Sequence, residues 1–316
     1  MCFLLLYLCF GIALGLLLFG ALLLVIRITA SLSDKTRLQL EFLDPKTDIS
    51  KPFPSIHDPP TLDLTIVIPA YNESKRLPVF LDVLFPYLDT VNYSYEIIVV
   101  DDGSKDNTVE VVHGYSRQYG SDVIRCMKLP ANRGKGGAVR QGVLSSRGRE
   151  ILFADADGAT DINDLGKVRE SLHKLLQSSP HGIAVGSRAH LQDDAVANRS
   201  FLRNILMYGF HMFVFLVGGI SNIKDTQCGF KLFSRPAARA IFPQMNIERW
   251  AFDVEIFVIA NMMGIKATEV AVNWEEIDGS KIVPVFSWLE MAKDLLMIRT
   301  RYMIGAWSVT ERLKDE

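Results

Sequence analysis

Between Leu64 and Ala154, short unbroken apolar runs alternate with longer stretches whose apolar positions recur at helical spacing. Leu64-Thr-Ile-Val-Ile-Pro69, Tyr95-Glu-Ile-Ile-Val-Val100, Val123 to Leu129 and Glu150-Ile-Leu-Phe-Ala154 have the length of strands. Runs that are apolar on both faces belong in a sheet covered from both sides. Leu77 to Leu88, Thr108 to Tyr119 and Lys135 to Ser146 read as the intervening helices, the second capped by Asp106 and the third opening on glycines. This alternation predicts an α/β fold with a Rossmann-like, mostly parallel sheet and helices on both faces. Gly182 to Arg188 adds a short strand with a polar end.

The N-terminus breaks the pattern. Phe3 to Ile26 carries no charge and is rich in leucine. As a helix it would extend roughly 36 Å, against a hydrocarbon core of about 30 Å. A cleaved signal peptide would need a basic leader and a shorter apolar run, so residues 1–30 are expected to be a retained transmembrane anchor. Arg27, Lys35 and Arg37 follow the run and no charge precedes it, which places the bulk of the chain in the cytosol. Residues 31–62, with Pro45, Pro52, Pro54, Pro59 and Pro60, read as a linker, and residues 63–316 as the folded domain. Within that domain, the apolar stretch 201–220 reads either as a core helix or as a helix lying in the membrane interface. The segment 285–307 mixes apolar positions with Lys293, Arg299 and Arg301 and also suits a membrane surface.

Charge and cysteine content only exclude. A net charge of −2 gives no sign of a nucleic-acid partner. Cys2, Cys9, Cys126 and Cys228 form no C-x-x-C pair and no disulfide framework, which fits a reducing compartment.

The candidate chemistry sits where the strands stop. Tyr71-Asn72-Glu73, Asp101-Asp102, Asn132-Arg133 and Asp155-Ala-Asp157 each follow a strand. In open α/β sheets, ligands bind at the carboxyl ends of the strands. Asp155 and Asp157 are two residues apart, so extended backbone points both carboxylates the same way, toward one hard cation such as Mg2+ or Mn2+. A capped turn is the other reading of such a pair. A carboxylate at Asp101-Asp102 can accept the N3–H of uracil, or else cap the next helix, although Asp106 stands nearer to it. Asn132-Arg-Gly-Lys-Gly-Gly-Ala-Val-Arg140 places cations among glycines at a helix start, a setting that suits phosphate. It is not a Walker motif, and no G-x-G-x-x-G follows the first strand. Downstream, Arg188 and Lys231 are candidates to grip an anionic acceptor, and Trp250 to stack on a sugar; surface salt bridges are the alternative.

Val67-Ile-Pro-Ala-Tyr-Asn-Glu73, Val99-Val-Asp-Asp-Gly-Ser104, Asn132-Arg-Gly-Lys-Gly136 and Asp155-Ala-Asp157 together resemble glycosyltransferase family 2, the inverting enzymes of the GT-A fold. The likeness runs from Leu64 to the C-terminal region. Asp155 to Thr160, Thr226 to Lys231 and Arg249 to Glu255 are most similar to the members that load glucose onto dolichyl phosphate. The resemblance implies UDP-glucose as donor, dolichyl phosphate as acceptor, a divalent metal, and a single-pass protein of the endoplasmic reticulum membrane whose catalytic domain faces the cytosol. Carried onto this sequence, it implies donor contacts at Pro69, Ala70, Tyr71, Glu73, Asp101, Asp102, Asn132, Arg133, Lys135, Asp155 and Ala156. Asp155 and Asp157 would hold the metal, and Arg188 and Lys231 the acceptor phosphate. Gln227, Trp250 and Asp253 would position sugar or acceptor, with Asp253 also a catalytic candidate. The rival readings are a mannosyl relative using GDP-mannose and a non-catalytic nucleotide-sugar-binding membrane protein.

Overall fold

The computed structural model describes residues 40–190, 223–277 and 284–309, together with isolated positions 15, 20, 21, 24 and 38. A hairpin of β1 (Glu41–Asp44) and β2 (Ile49–Pro52) precedes a seven-stranded sheet. The sheet comprises β3 (Leu62–Ala70), β4 (Tyr95–Asp101), β5 (Ile124–Lys128), β6 (Gly148–Ala154), β7 (Gly182–Ser187), β8 (Phe230–Ser234) and β9 (Lys266–Ala271), in the order β5-β4-β3-β6-β8-β7-β9. The strands β5, β4, β3 and β6 run parallel; β8 is antiparallel to both β6 and β7, and β9 pairs parallel with β7.

The strand alternation sorts the core into two layers. Ile66, Ile68, Ile97, Val99 and Leu152 face α1 (Arg76–Asp89) through Leu77, Leu81 and Leu84. On the same side lie α2 (Thr108–Tyr119) and, later, α4 (Leu165–Leu176). Val67, Ile98, Val100, Ile151 and Phe153 face the opposite way. There they meet α3 (Lys135–Leu144), α5 (Arg235–Ile241) and α6 (Phe252–Met263). Helix α3 lies so close to the sheet that a Cβ on Gly142 would sit 2.4 Å from Val67 Cγ1. That proximity brings the start of α3 over the carboxyl ends of β3, β4 and β6.

The stretch expected as a linker is folded from residue 40 onward. Phe42, Phe53 and Ile56 are buried, and the Phe42 and Phe53 rings flank the Arg125 guanidinium at 4.9 and 5.3 Å. Arg125 pairs with the fully buried Glu96, which also accepts from Thr65 and Arg147. Arg235 ties the same stretch down by donating to the carbonyls of Ser55, Asp58, Ser146 and Gly148. The prolines here therefore punctuate a wall of the domain, and apolar burial outweighs the composition that suggested a linker.

The C-terminal helix α7 (Pro284–Met303) packs Leu295 and Ile298 into the core, followed by Trp307, while Leu296 and Met303 are exposed. Among the described residues no helix is long and apolar enough to cross a membrane. The expected anchor at 1–30, apart from four isolated positions, and the segment 201–220 lie outside the described residues.

Candidate active site at the carboxyl ends of the strands

Asp155 follows β6 directly, and its N–H donates to the Gly229 carbonyl at 3.0 Å. Its Oδ1 is buried against the Lys135 ammonium at 2.6 Å, while 32% of the side chain is exposed and Oδ2 lies against the backbone of Gly229. Asp157 lies two residues on, in a turn instead of the extended backbone expected, with Oδ1 accepting from the Ala159 N–H at 3.1 Å. Burial, then the charge of Asp155, raises the Asp157 pKa. Arg76 Nη1 approaches Asp157 Oδ2 at 3.9 Å, while its Nε and Nη2 donate to Glu73 at 2.7 and 2.6 Å. Burial works against the charge on Lys135, but Asp155, Asp253 and Asp157 outweigh it and hold the pKa above the usual lysine value.

The pair fits a divalent cation. Two hard carboxylates share one partly open face, and a Cβ on Gly229 would lie 2.0 Å from Asp155 Oδ2, so only glycine leaves that oxygen clear. Among the described residues no trio of His, Cys, Asp or Glu makes a complete protein cage. Mg2+-type ions are commonly held by one or two carboxylates, with phosphate oxygens and water filling the remaining positions.

Facing the pair is the basic loop before α3. Asp102 Oδ1 accepts from the Arg133 N–H at 2.7 Å and Oδ2 from the Gly134 N–H at 2.8 Å. Asn132 Nδ2 donates to the Asp102 carbonyl at 2.9 Å. On the far side, Arg133 pairs with Glu248, whose carbonyl accepts from the Gly137 N–H at 2.9 Å. Gly134, at φ 88°, takes a turn that a side chain would resist, and its Cβ would stand 2.7 Å from the Glu248 carbonyl. Asp102 thus serves as the anchor of this loop, each of its oxygens accepting from one backbone N–H. Asp101, Ala70 and Ala156 are buried at or just past the strand ends, Pro69 and Tyr71 are half-buried there, and Asn132 is exposed.

Burial pushes the Asp102 pKa up to about 6, against the stabilising N–H groups of Arg133 and Gly134. Because the folded state then holds a proton that the unfolded chain releases near pH ~4, the contribution of Asp102 to stability falls as pH rises from about 4 to about 6. Protonation also weakens its grip on the loop. Hydrogen-exchange protection of the Arg133 and Gly134 amides is expected to drop in wild type as pH falls through about 6. Asp102→Asn should lower that protection roughly tenfold at pH 7 by losing one charged acceptor. Its pH profile should lack the step near 6. A profile unchanged by the substitution would remove the loop-anchor role.

Downstream, the structure redistributes the expected roles. Arg188 forks onto Asp225 through Nε and Nη2 at 2.8 and 2.9 Å and stacks on Trp274, and it remains partly exposed within electrostatic reach of Asp155. Lys231, expected on the acceptor phosphate, is sealed in the core: its side chain has no exposed surface, pairs with Asp253 and donates to the Cys228 carbonyl at 2.6 Å. The structure commits it to Asp253 in place of an exposed anion. Asp253, expected to orient sugar or acceptor, is 5% exposed and occupied by the same pairing. Gln227 and Trp250 are half-buried in turns ahead of β8 and α6. Arg76, Gly229 and Glu248 were not singled out from sequence. The spacing Glu73-x-x-Arg76 at a helix start was a usable signal for the first; nothing local marks the other two.

The Glycosyl transferase family 2 profile matches residues 65–242, from β3 through α5 and into the turn that follows. The chain belongs to glycosyl transferase family 2. This family 2 protein is 52% identical over 281 residues to the dolichyl-phosphate beta-glucosyltransferase of Drosophila melanogaster, covering 87% of this chain and 86% of the relative. To the Homo sapiens enzyme of the same name it is 52% identical over 268 residues, covering 83% and 82%. Among solved structures, glucosyl-3-phosphoglycerate synthase from Mycobacterium tuberculosis, in complex with Mn2+, UDP and its product, superposes with a TM-score of 0.50 at 15% identity, covering 79% of this chain and 82% of that one. At that identity the likeness speaks for the GT-A-type fold. As a family 2 member, the protein is a glycosyltransferase.

Proposed function

We propose that this enzyme transfers glucose from UDP-glucose to dolichyl phosphate with inversion at the anomeric carbon, giving dolichyl β-D-glucosyl phosphate for N-glycan assembly. The observation that carries the reading is the 52% identity, across 87% of the chain, to a relative named for that reaction. The geometry supports it: a carboxylate pair and a basic loop face one another at the strand ends.

The uridine side of the donor would lie along Pro69, Ala70, Tyr71 and Asp101, with Glu73 beneath it holding Arg76 in place. Arg133 and Lys135, fixed by the loop anchored on Asp102, would meet the diphosphate. Asp155 Oδ2 and Asp157 would hold Mg2+ or Mn2+, which when bound offsets the charge that builds on the leaving UDP. An acceptor phosphate is largely ionised near neutral pH, with a second pKa of about 6. It attacks the anomeric carbon without needing a strong protein base, so the contribution of the chain is positioning and charge stabilisation. Arg188 would meet that phosphate through Nη1, since Asp225 takes its other edge. Anchoring in the endoplasmic reticulum membrane, with this domain in the cytosol, is supported by the uncharged run from Phe3 to Ile26 and the cations that follow it.

The test is transfer of labelled sugar to dolichyl phosphate in membranes, offering UDP-glucose and GDP-mannose in parallel, with and without EDTA. Glucose-labelled lipid that disappears with chelator is expected. Labelling from GDP-mannose instead would overturn the donor, and labelling indifferent to EDTA would overturn the metal.

A further inference from the structure

Resting on the donor and metal chemistry above, we propose that the chain itself compensates the charge of the Asp155-Asp157 pair, so that a divalent cation binds tightly only together with a nucleoside diphosphate. Each carboxylate has its own cation. Lys135 Nζ stands 2.6 Å from Asp155 Oδ1, and Arg76 Nη1 stands 3.9 Å from Asp157 Oδ2. Neither cation is a loose surface group. Lys135 occupies the first position of α3, behind a loop fixed by Asp102 and Glu248. Arg76 is clamped by the Glu73 fork.

The consequences follow from elementary electrostatics. A divalent ion on Asp155 Oδ2 would share a carboxylate with an ammonium group on the other oxygen, and like charges that close repel strongly where water is partly excluded. The bare pair therefore attracts such an ion far less than two free carboxylates would. A diphosphate reverses the balance, because its oxygens satisfy Lys135 and supply further ligands to the ion. The same arrangement divides the Asp155 carboxylate: Lys135 holds Oδ1, which leaves Oδ2 as the oxygen for a second cation. Lys135 is in this sense a positioning residue for the metal carboxylate as well as a diphosphate contact.

The experiment is Mn2+ titration of the full-length protein in detergent, read by electron paramagnetic resonance, with and without UDP. Wild type is expected to bind Mn2+ at least tenfold more tightly with UDP present than alone. Lys135→Met should bind Mn2+ alone on the order of tenfold more tightly than wild type, since one repelling charge is gone. Its gain from UDP should shrink, and Lys135→Arg should restore wild-type behaviour. Arg76→Met should shift Mn2+ binding in the same direction but less, being farther away and shared with Glu73; it is the independent variant should Lys135→Met fail to fold. Unchanged or weaker Mn2+ binding by the methionine variants, alongside normal coupling to UDP, would overturn this proposal and leave the proposed reaction standing. Failure of wild type to bind Mn2+ even with UDP would overturn the metal chemistry of the reaction itself, and this proposal with it.

Discussion

Gly229→Ala is expected to lower kcat/KM for glucosyl transfer by 100-fold or more, on the order of 3 kcal/mol of transition-state stabilisation. The added methyl would lie 2.0 Å from Asp155 Oδ2 and 2.3 Å from its Cγ, distances no pair of atoms tolerates. The backbone has little room to yield. The Gly229 carbonyl accepts the Asp155 N–H at 3.0 Å, and the neighbouring residues Ala154 and Phe230 are paired in the β6–β8 ladder. Asp155 must therefore swing, and both of its oxygens move with it. Overpacking of this kind costs about 1–3 kcal/mol of stability, so a lowered but cooperative melting transition is expected beside the loss of activity. Transfer assays over a range of Mn2+ concentrations separate the two effects. A variant that melts lower yet keeps activity within threefold would show that Asp155 does not present Oδ2 to the reaction.

That prediction rests on a contact between residues 74 positions apart, and it marks where the sequence stops being informative. The first half of the sheet was readable because parallel strands buried on both faces leave continuous apolar runs, and each ends on a polar cluster. Thr108 to Tyr119 is bounded in the structure as the sequence predicts, and β3, β4 and β6 differ from expectation by a residue or two at their ends. In the second half the same logic misleads. Strand β8 carries Lys231 as its second residue, and a lysine among aromatics reads as a surface cluster until Asp253, 22 positions later, is seen to neutralise it. Asp102 likewise has a loop-anchoring role that its place at a strand end does not reveal, because nothing in the spacing announces that the backbone of residues 133 and 134 folds back onto it. The hairpin at β1–β2 was hidden by its prolines. In each case the missing information is a long-range partner that changes a charged or polar residue from exposed to engaged.

Lys231→Met is expected to destabilise the fold by about 3–5 kcal/mol, the usual consequence of removing one partner from a buried ion pair. The ammonium lies without exposed surface near the rings of Phe153 and Phe257, at 5.3 and 6.0 Å, and bonds the Asp253 carboxylate and the Cys228 carbonyl. Without it Asp253 becomes an uncompensated charge in the core, where burial already raises its pKa and Lys231 and Lys135 are the groups that oppose the rise. The double substitution Lys231→Met with Asp253→Asn removes both charges and should recover most of the lost stability, read as the denaturation midpoint in a double-mutant cycle. The outcome also decides between two roles for this lysine. A residue gripping the acceptor phosphate would raise the acceptor KM when replaced and leave the melting transition where it was. A residue that neutralises Asp253 should lower stability first and affect turnover indirectly, because an unpaired Asp253 would compete with Asp155 for Lys135. Restoration of both stability and turnover in the double variant would fix Lys231 as a buried counter-charge to Asp253, whereas an acceptor defect that persists after stability returns would reinstate it as a ligand.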